Sequence, residues 1–138
     1  MITKGLDKQI LVLLLIFLPF GLWAEDDEDV PPATRYVEVE PVFVTNYGGL
    51  DRLAYMKVQV TLRVLGAEGE AQVKRHMPYI KDTLLSLFAV QTNESISSAE
   101  GKEGLRKQSH QAVSEILAAE DETSLLEDLL FTSFVAQR

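Results

Sequence analysis

The segment Ala54–Leu65, AYMKVQVTLRVL, leaves this chain the least freedom. Met56, Val58, Val60, Leu62 and Val64 take every second position, and Lys57, Gln59, Thr61 and Arg63 fill the places between. Successive side chains of a strand point to opposite faces, so this period marks a strand with one covered and one wet face. Such a strand needs a hydrogen-bonding neighbour and a layer over its apolar side. The wet face favours antiparallel pairing.

The flanking sequence offers both. Tyr36–Val44, YVEVEPVFV, also alternates, with Val37, Val39 and Phe43 on one face and Glu38 and Glu40 on the other. Pro41 cannot donate to a ladder, which predicts an edge position or a bulge. Asn46-Tyr47-Gly48-Gly49 supplies the turn between the strands, and Gly66 and Gly69 close the second. From Glu70 to Gln91 the period lengthens. Val73, Met77, Ile80, Leu84, Leu87 and Phe88 recur at helical steps, and Pro78 predicts a kink or a restart. Thr92–Ser97 reads as a loop. Ser97 and Glu100 have capping-box spacing, predicting a second helix that carries Leu105, Ala112, Val113, Ile116 and Leu117 and ends near Glu120 or Asp121. The close, Leu129–Gln137 (LLFTSFVAQ), predicts a strand apolar on both faces, which belongs in the middle of a sheet or under a partner. The order β-β-α-α-β gives an α+β fold, an antiparallel sheet with two helices packed on one face.

Ahead of this lies Ile10–Ala24, ILVLLLIFLPFGLWA, 15 residues without a charge. Lys4 and Lys8 precede it and Ala24 can stand before a cut, the pattern of an export signal. A spanning helix needs roughly 20 apolar residues, and Pro19 interrupts this run. Residues 1–24 therefore read as a signal peptide or a short membrane anchor. Residues 25–35 read as an acidic, proline-containing linker, because the run Glu25–Asp29 repels itself and Pro31-Pro32 stiffens the backbone after it. Residues 36–138 form the domain.

The net charge of −8 argues against nucleic acid, whose phosphates need clustered Lys and Arg. It also argues against docking on an anionic bilayer through a basic patch, leaving membrane contact only through residues 1–24 if they are uncleaved. With no cysteine, the exported domain is held together by its core alone. His76 and His110 are the only histidines, and no ligand spacing joins them, so no metal site is assigned. There is no phosphate loop or nucleophile elbow, no cofactor is implied, and the chain does not read as an enzyme. Asn93-Glu94-Ser95 matches a glycosylation acceptor by spacing alone and is assigned nothing. Lys102, Arg106 and Lys107 on the second helix read as a solvated basic face, with an acidic partner as the alternative. Gly101 and Gly104 cost helix propensity in its first turns. Either they let another chain or element approach closely, or they are tolerated near a helix end. Phe131 and Phe134 divide in the same way between a self-association surface and plain core.

Several strings, in order, resemble the FliL family of bacterial flagellar basal body-associated proteins. They are Tyr36-Val37 leading to Pro41-Val42-Phe43-Val44-Thr45-Asn46, then Tyr55-Met56-Lys57-Val58-Gln59-Val60, then His76-Met77-Pro78-Tyr79-Ile80-Lys81-Asp82 with Leu84-Leu85-Ser86-Leu87. Glu100-Gly101-Lys102-Glu103-Gly104-Leu105-Arg106 and Leu130-Phe131-Thr132-Ser133-Phe134-Val135-Ala136-Gln137 complete the set. The resemblance implies a stomatin-like periplasmic domain that forms a homo-oligomeric ring. It also implies flagellar stator and basal-body proteins as partners, and a part in motor torque, rotation, swimming, swarming and chemotaxis. It implies no catalytic residues. The family usually keeps a full spanning helix, from which the short run here departs. Gly101, Gly104, Phe131 and Phe134 are the candidates for self-association. The alternative from another class is a soluble periplasmic binding module or envelope chaperone unrelated to the motor.

Overall fold

The computed structural model describes residues 31–48 and 54–137. The export segment, the acidic run Glu25–Asp29 and Gly49 of the turn lie outside them. The elements are β1 (Thr34–Tyr47), β2 (Ala54–Leu65), α1 (Gly66–Arg75), α2 (Met77–Ala89), α3 (Asn93–Ile96), α4 (Ala99–Asp121) and β3 (Leu126–Gln137). The strands form one antiparallel sheet in the order β1-β2-β3. The expected α+β layer is present, with α2 packed over β1 and α4 over β3.

β2 forms the middle of the sheet because its alternation is unbroken. Met56, Val58, Val60, Leu62 and Val64 are all fully buried. Each such side chain contributes roughly 1.5–3 kcal/mol on leaving water. β1 reaches the same core despite an irregularity. Val39 lies opposite Val60 and Phe43 opposite Val58, so β1 takes two residues more than β2 over this stretch. An even number of extra residues preserves the face, which is why the alternation could be read straight across Pro41. The Glu40–Pro41 peptide is cis.

Of the two places expected for β3, the middle of a sheet or under a partner, the first is corrected: among the described residues it is an edge strand. Phe134 lies opposite Val58, Phe131 opposite Val60, Leu129 opposite Leu62 and Leu126 opposite Val64. The register slips once between Phe134 and Phe131 and again between Asp128 and Leu126. Each slip adds one residue and flips the phase. The core-facing set Leu126, Leu129, Phe131 and Phe134 therefore has no fixed period, and the strand looks apolar on both sides.

The helices arise from local chemistry, with shifted boundaries. Gly66 opens α1 rather than closing β2. Its φ is +66°, and a Cβ there would meet the Pro32 side chain at 2.8 Å, so only glycine fits. α1 and α2 meet at His76, and Pro78 sits in the first turn of α2, where a missing N–H costs nothing. This is the restart that Pro78 predicts. Val73, Ile80, Leu84 and Phe88 are buried, with Met77 and Leu87 packed against them. The expected loop at Thr92–Ser97 contains α3, closed by a capping box in which Ser95 N donates to Thr92 Oγ1 at 3.2 Å and Thr92 N to Ser95 Oγ at 3.0 Å. The cap of α4 is Ser98, not Ser97. Its hydroxyl accepts from Gly101 N at 3.0 Å, and the reciprocal bond of a capping box is missing because glycine stands at the third position. Leu105, Val113, Ile116 and Leu117 bury one side of α4.

Candidate interaction surface

Four phenylalanines run beneath the sheet from one edge to the other. Phe43 of β1 meets Phe88 of α2 edge-on with ring centroids 5.3 Å apart. Phe88 meets Phe131 of β3 at 5.9 Å, and Phe131 meets Phe134 at 5.6 Å. Burial falls along this series. Phe43 and Phe88 are core, whereas Phe131 and Phe134 are only partly buried. The last two form the floor of a groove of about 380 Å³ between β3 and the first turns of α4, with Ala99, Lys102, Arg106 and Leu130 around it.

The rim of this groove is charged and ordered. Arg106 grips Glu103 through two hydrogen bonds of 2.6 and 2.7 Å, the bidentate fork that suits guanidinium and carboxylate. Its remaining terminal nitrogen donates to Asp128 Oδ1 at 2.6 Å and to the Leu129 carbonyl at 3.1 Å. α4 is thereby tied to β3. The hydrogen bonds from Arg106 hold the Glu103 carboxyl below its ordinary value. Glu103 in turn, with help from Asp128, raises the pKa of Arg106 against the cost of burial. Lys102 differs: its ammonium stands over the Phe134 ring, 5.1 Å from the centroid. Of the basic trio read as a solvated face, only Lys107 is exposed; Lys102 and Arg106 are partly buried.

The four candidate residues divide. Phe131 and Phe134 come together at the groove. Gly101 does permit a close approach, but of the chain's own Ser95 carbonyl oxygen, with which a Cβ would collide. Gly104 meets nothing within 4 Å among the described residues. The Arg106–Asp128 link was not legible in the sequence. Glu103 and Arg106 at (i, i+3) could be paired on a helix, but placing Asp128 requires the slipped register of β3.

Elsewhere charged groups serve the fold. Lys74 and Arg35 bond Glu70 at 2.6 and 2.7 Å and lower its pKa to about 2, fastening α1 to β1. Burial pushes the Asp121 carboxyl up, but hydrogen bonds from His76 and Gln72 hold it below its ordinary value. A larger hollow, of about 480 Å³, lies beside Gln72, Arg75 and Asp121. The Gln72 amide there is committed internally: it donates to the Thr123 carbonyl at 2.6 Å and accepts from Leu125 N at 2.9 Å. Among the described residues no three His, Asp or Glu side chains converge as metal ligands would. No described helix is long and apolar enough to cross a membrane.

Comparison with known proteins covers this same region. The family model for flagellar basal body-associated protein FliL matches residues 36–137, from the first strand through the last. The chain is 25% identical to the flagellar protein FliL of Aquifex aeolicus (strain VF5) over 100 residues, which is 72% of this chain and 60% of that protein. It is 28% identical to the flagellar protein FliL of Shigella flexneri over an alignment of 150 residues, covering 97% of this chain and 96% of that protein. The chain belongs to the FliL family of flagellar basal body-associated proteins.

Proposed function

We propose that this protein is a non-enzymatic accessory of the flagellar motor that modulates torque, rotation and motility by oligomerising in the periplasm beside stator and basal-body proteins. Family membership supports the flagellar role. The observation that carries the self-association is the β3 edge, where Phe131 and Phe134 stay half-covered beside an ordered charged rim. Monomeric proteins seldom leave two adjacent aromatic rings in an open groove without use. Residues 1–24 direct export or anchor the chain, and where they stay in the membrane residues 25–35 act as a spacer holding the domain off the bilayer. Deleting the gene tests this reading: swimming speed in viscous medium falls and swarming shrinks, while filaments still assemble. Undiminished motility under load contradicts it. Intact mass from the envelope decides whether residues 1–24 are removed.

A further inference from the structure

We propose that the open face of the sheet, at its Tyr55 end, binds a polymer of N-acetylated amino sugars bearing carboxylates, the chemistry of the bacterial cell wall. This goes beyond the motor role and uses a surface other than the β3 groove. The helices pack on one face of the sheet and leave the other open. Along most of that open face the side chains engage one another. Arg63 pairs with Glu127 at 3.3 Å, the Gln59 amide donates to the Val39 carbonyl at 3.4 Å, and the Thr61 and Thr132 hydroxyls meet at 3.5 Å. The last two rows differ. Val44 and Val135 stand opposite Lys57, and Asn46 and Gln137 stand opposite Tyr55. Val44, Tyr55 and Val135 are 61, 49 and 45% exposed, and a shallow hollow of about 300 Å³ lies among them. Among the described residues, the side chains of Asn46, Tyr55, Lys57 and Gln137 have no hydrogen bond or ion pair.

Each group in these rows has a counterpart on such a sugar. The Tyr55 ring offers a flat apolar surface to the C–H face of a pyranose and a hydroxyl at its tip. The Asn46 and Gln137 amides both donate and accept, as an acetamido group requires. The valines cover the acetyl methyl. Lys57 is the only charge in the two rows, in a chain whose net charge is −8, so it selects an anion, here a carboxylate. The size and place of the surface disfavour other anionic partners. Two rows across three strands span about 7 by 10 Å, the footprint of a disaccharide. A stable protein interface takes roughly 800 Å² from each partner. An extended acidic peptide gains no ladder there, because β2 is already paired on both sides.

Full-length protein, extracted from the envelope in detergent, is mixed with purified cell-wall sacculi and pelleted. Wild type pellets with the sacculi. Lys57→Gln lowers binding about tenfold and Tyr55→Ala about fivefold, whereas Tyr55→Phe keeps the ring and most of the binding. Tyr36→Ala removes an exposed tyrosine from the far end of the same face and changes nothing. Thermal melts of all four variants match wild type, so a loss of binding is not a loss of fold. Sacculi stripped of their peptides by an amidase keep the sugars, gain free lactyl carboxylates and bind at least as well. Binding that disappears with the peptides assigns the surface to an acidic peptide and overturns the proposal. Protein that fails to pellet, or pellets equally after Tyr55→Ala and Lys57→Gln, also overturns it, and neither result touches the flagellar role.

Discussion

The two edges of this sheet are built in opposite ways. β1 places Glu38 and Glu40 in solvent, takes two extra residues beside Pro41 and so interrupts the ladder a foreign strand would need. These are the usual defences of an edge. β3 has register slips too, but they change which side chains face the core without adding charge over Leu129–Gln137. Beneath β1 the aromatic series is fully covered, and beneath β3 it opens into a groove. Exposed edges invite association, and β1 is the more heavily blunted of the two.

Phe88 touches the ring from each edge, so it offers the largest perturbation. Phe88→Ala should cost about 3–5 kcal/mol in urea unfolding and loosen both edges together. Arg106→Ala discriminates between them. It removes the fork from Glu103 and the 2.6 Å bond from Asp128, which keeps Arg63 at 3.9 Å, and should cost about 1.5–3 kcal/mol, with amide exchange accelerating in β3 and not in β1. The two glycines of α4 should move stability in opposite directions. Gly101→Ala drives a Cβ into the Ser95 carbonyl oxygen and should cost about 1–3 kcal/mol. Gly104→Ala has open space and should gain about 0.5–1 kcal/mol in thermal melts.

Acid gives the smallest effect and acts on the β1 side. The Glu70 pKa is lowered from 4.5 to about 2 by Lys74 and Arg35, so its contribution is present above the unfolded value and lost as pH falls towards 2. Glu70→Gln should flatten the loss of stability between pH 4.5 and 2, measured by urea midpoints across that range. A full-strength acid slope in the variant would place the sensitivity elsewhere.

Much of this fold was legible in the sequence because its strongest signals are local. The unbroken alternation of β2 gave a strand and its buried face, though not its central place, the helical stripe gave Val73, Ile80, Leu84 and Phe88, and Pro78 gave the restart. β1 survived its irregularity because an even number of extra residues hides it from a period of two. β3 did not, because single-residue slips scramble the phase, and its place at an edge comes from pairing that no local pattern records. The groove was half legible. Phe131 and Phe134 stood out by type, but Lys102 and Arg106 looked like a wet face until α4 was set against β3. Gly101 stood out as a candidate for close approach, and the group beside it is the Ser95 carbonyl of the preceding helix in the same chain.

Amide hydrogen exchange on the full-length chain, dilute and then assembled, tests the difference between the edges most directly. Assembly should slow exchange in Leu129–Val135 by at least about tenfold while Thr34–Tyr47 is unchanged, since pairing an edge protects its outward amides. Protection gained in β1, or in neither strand, would contradict the assignment of β3 as the associating edge.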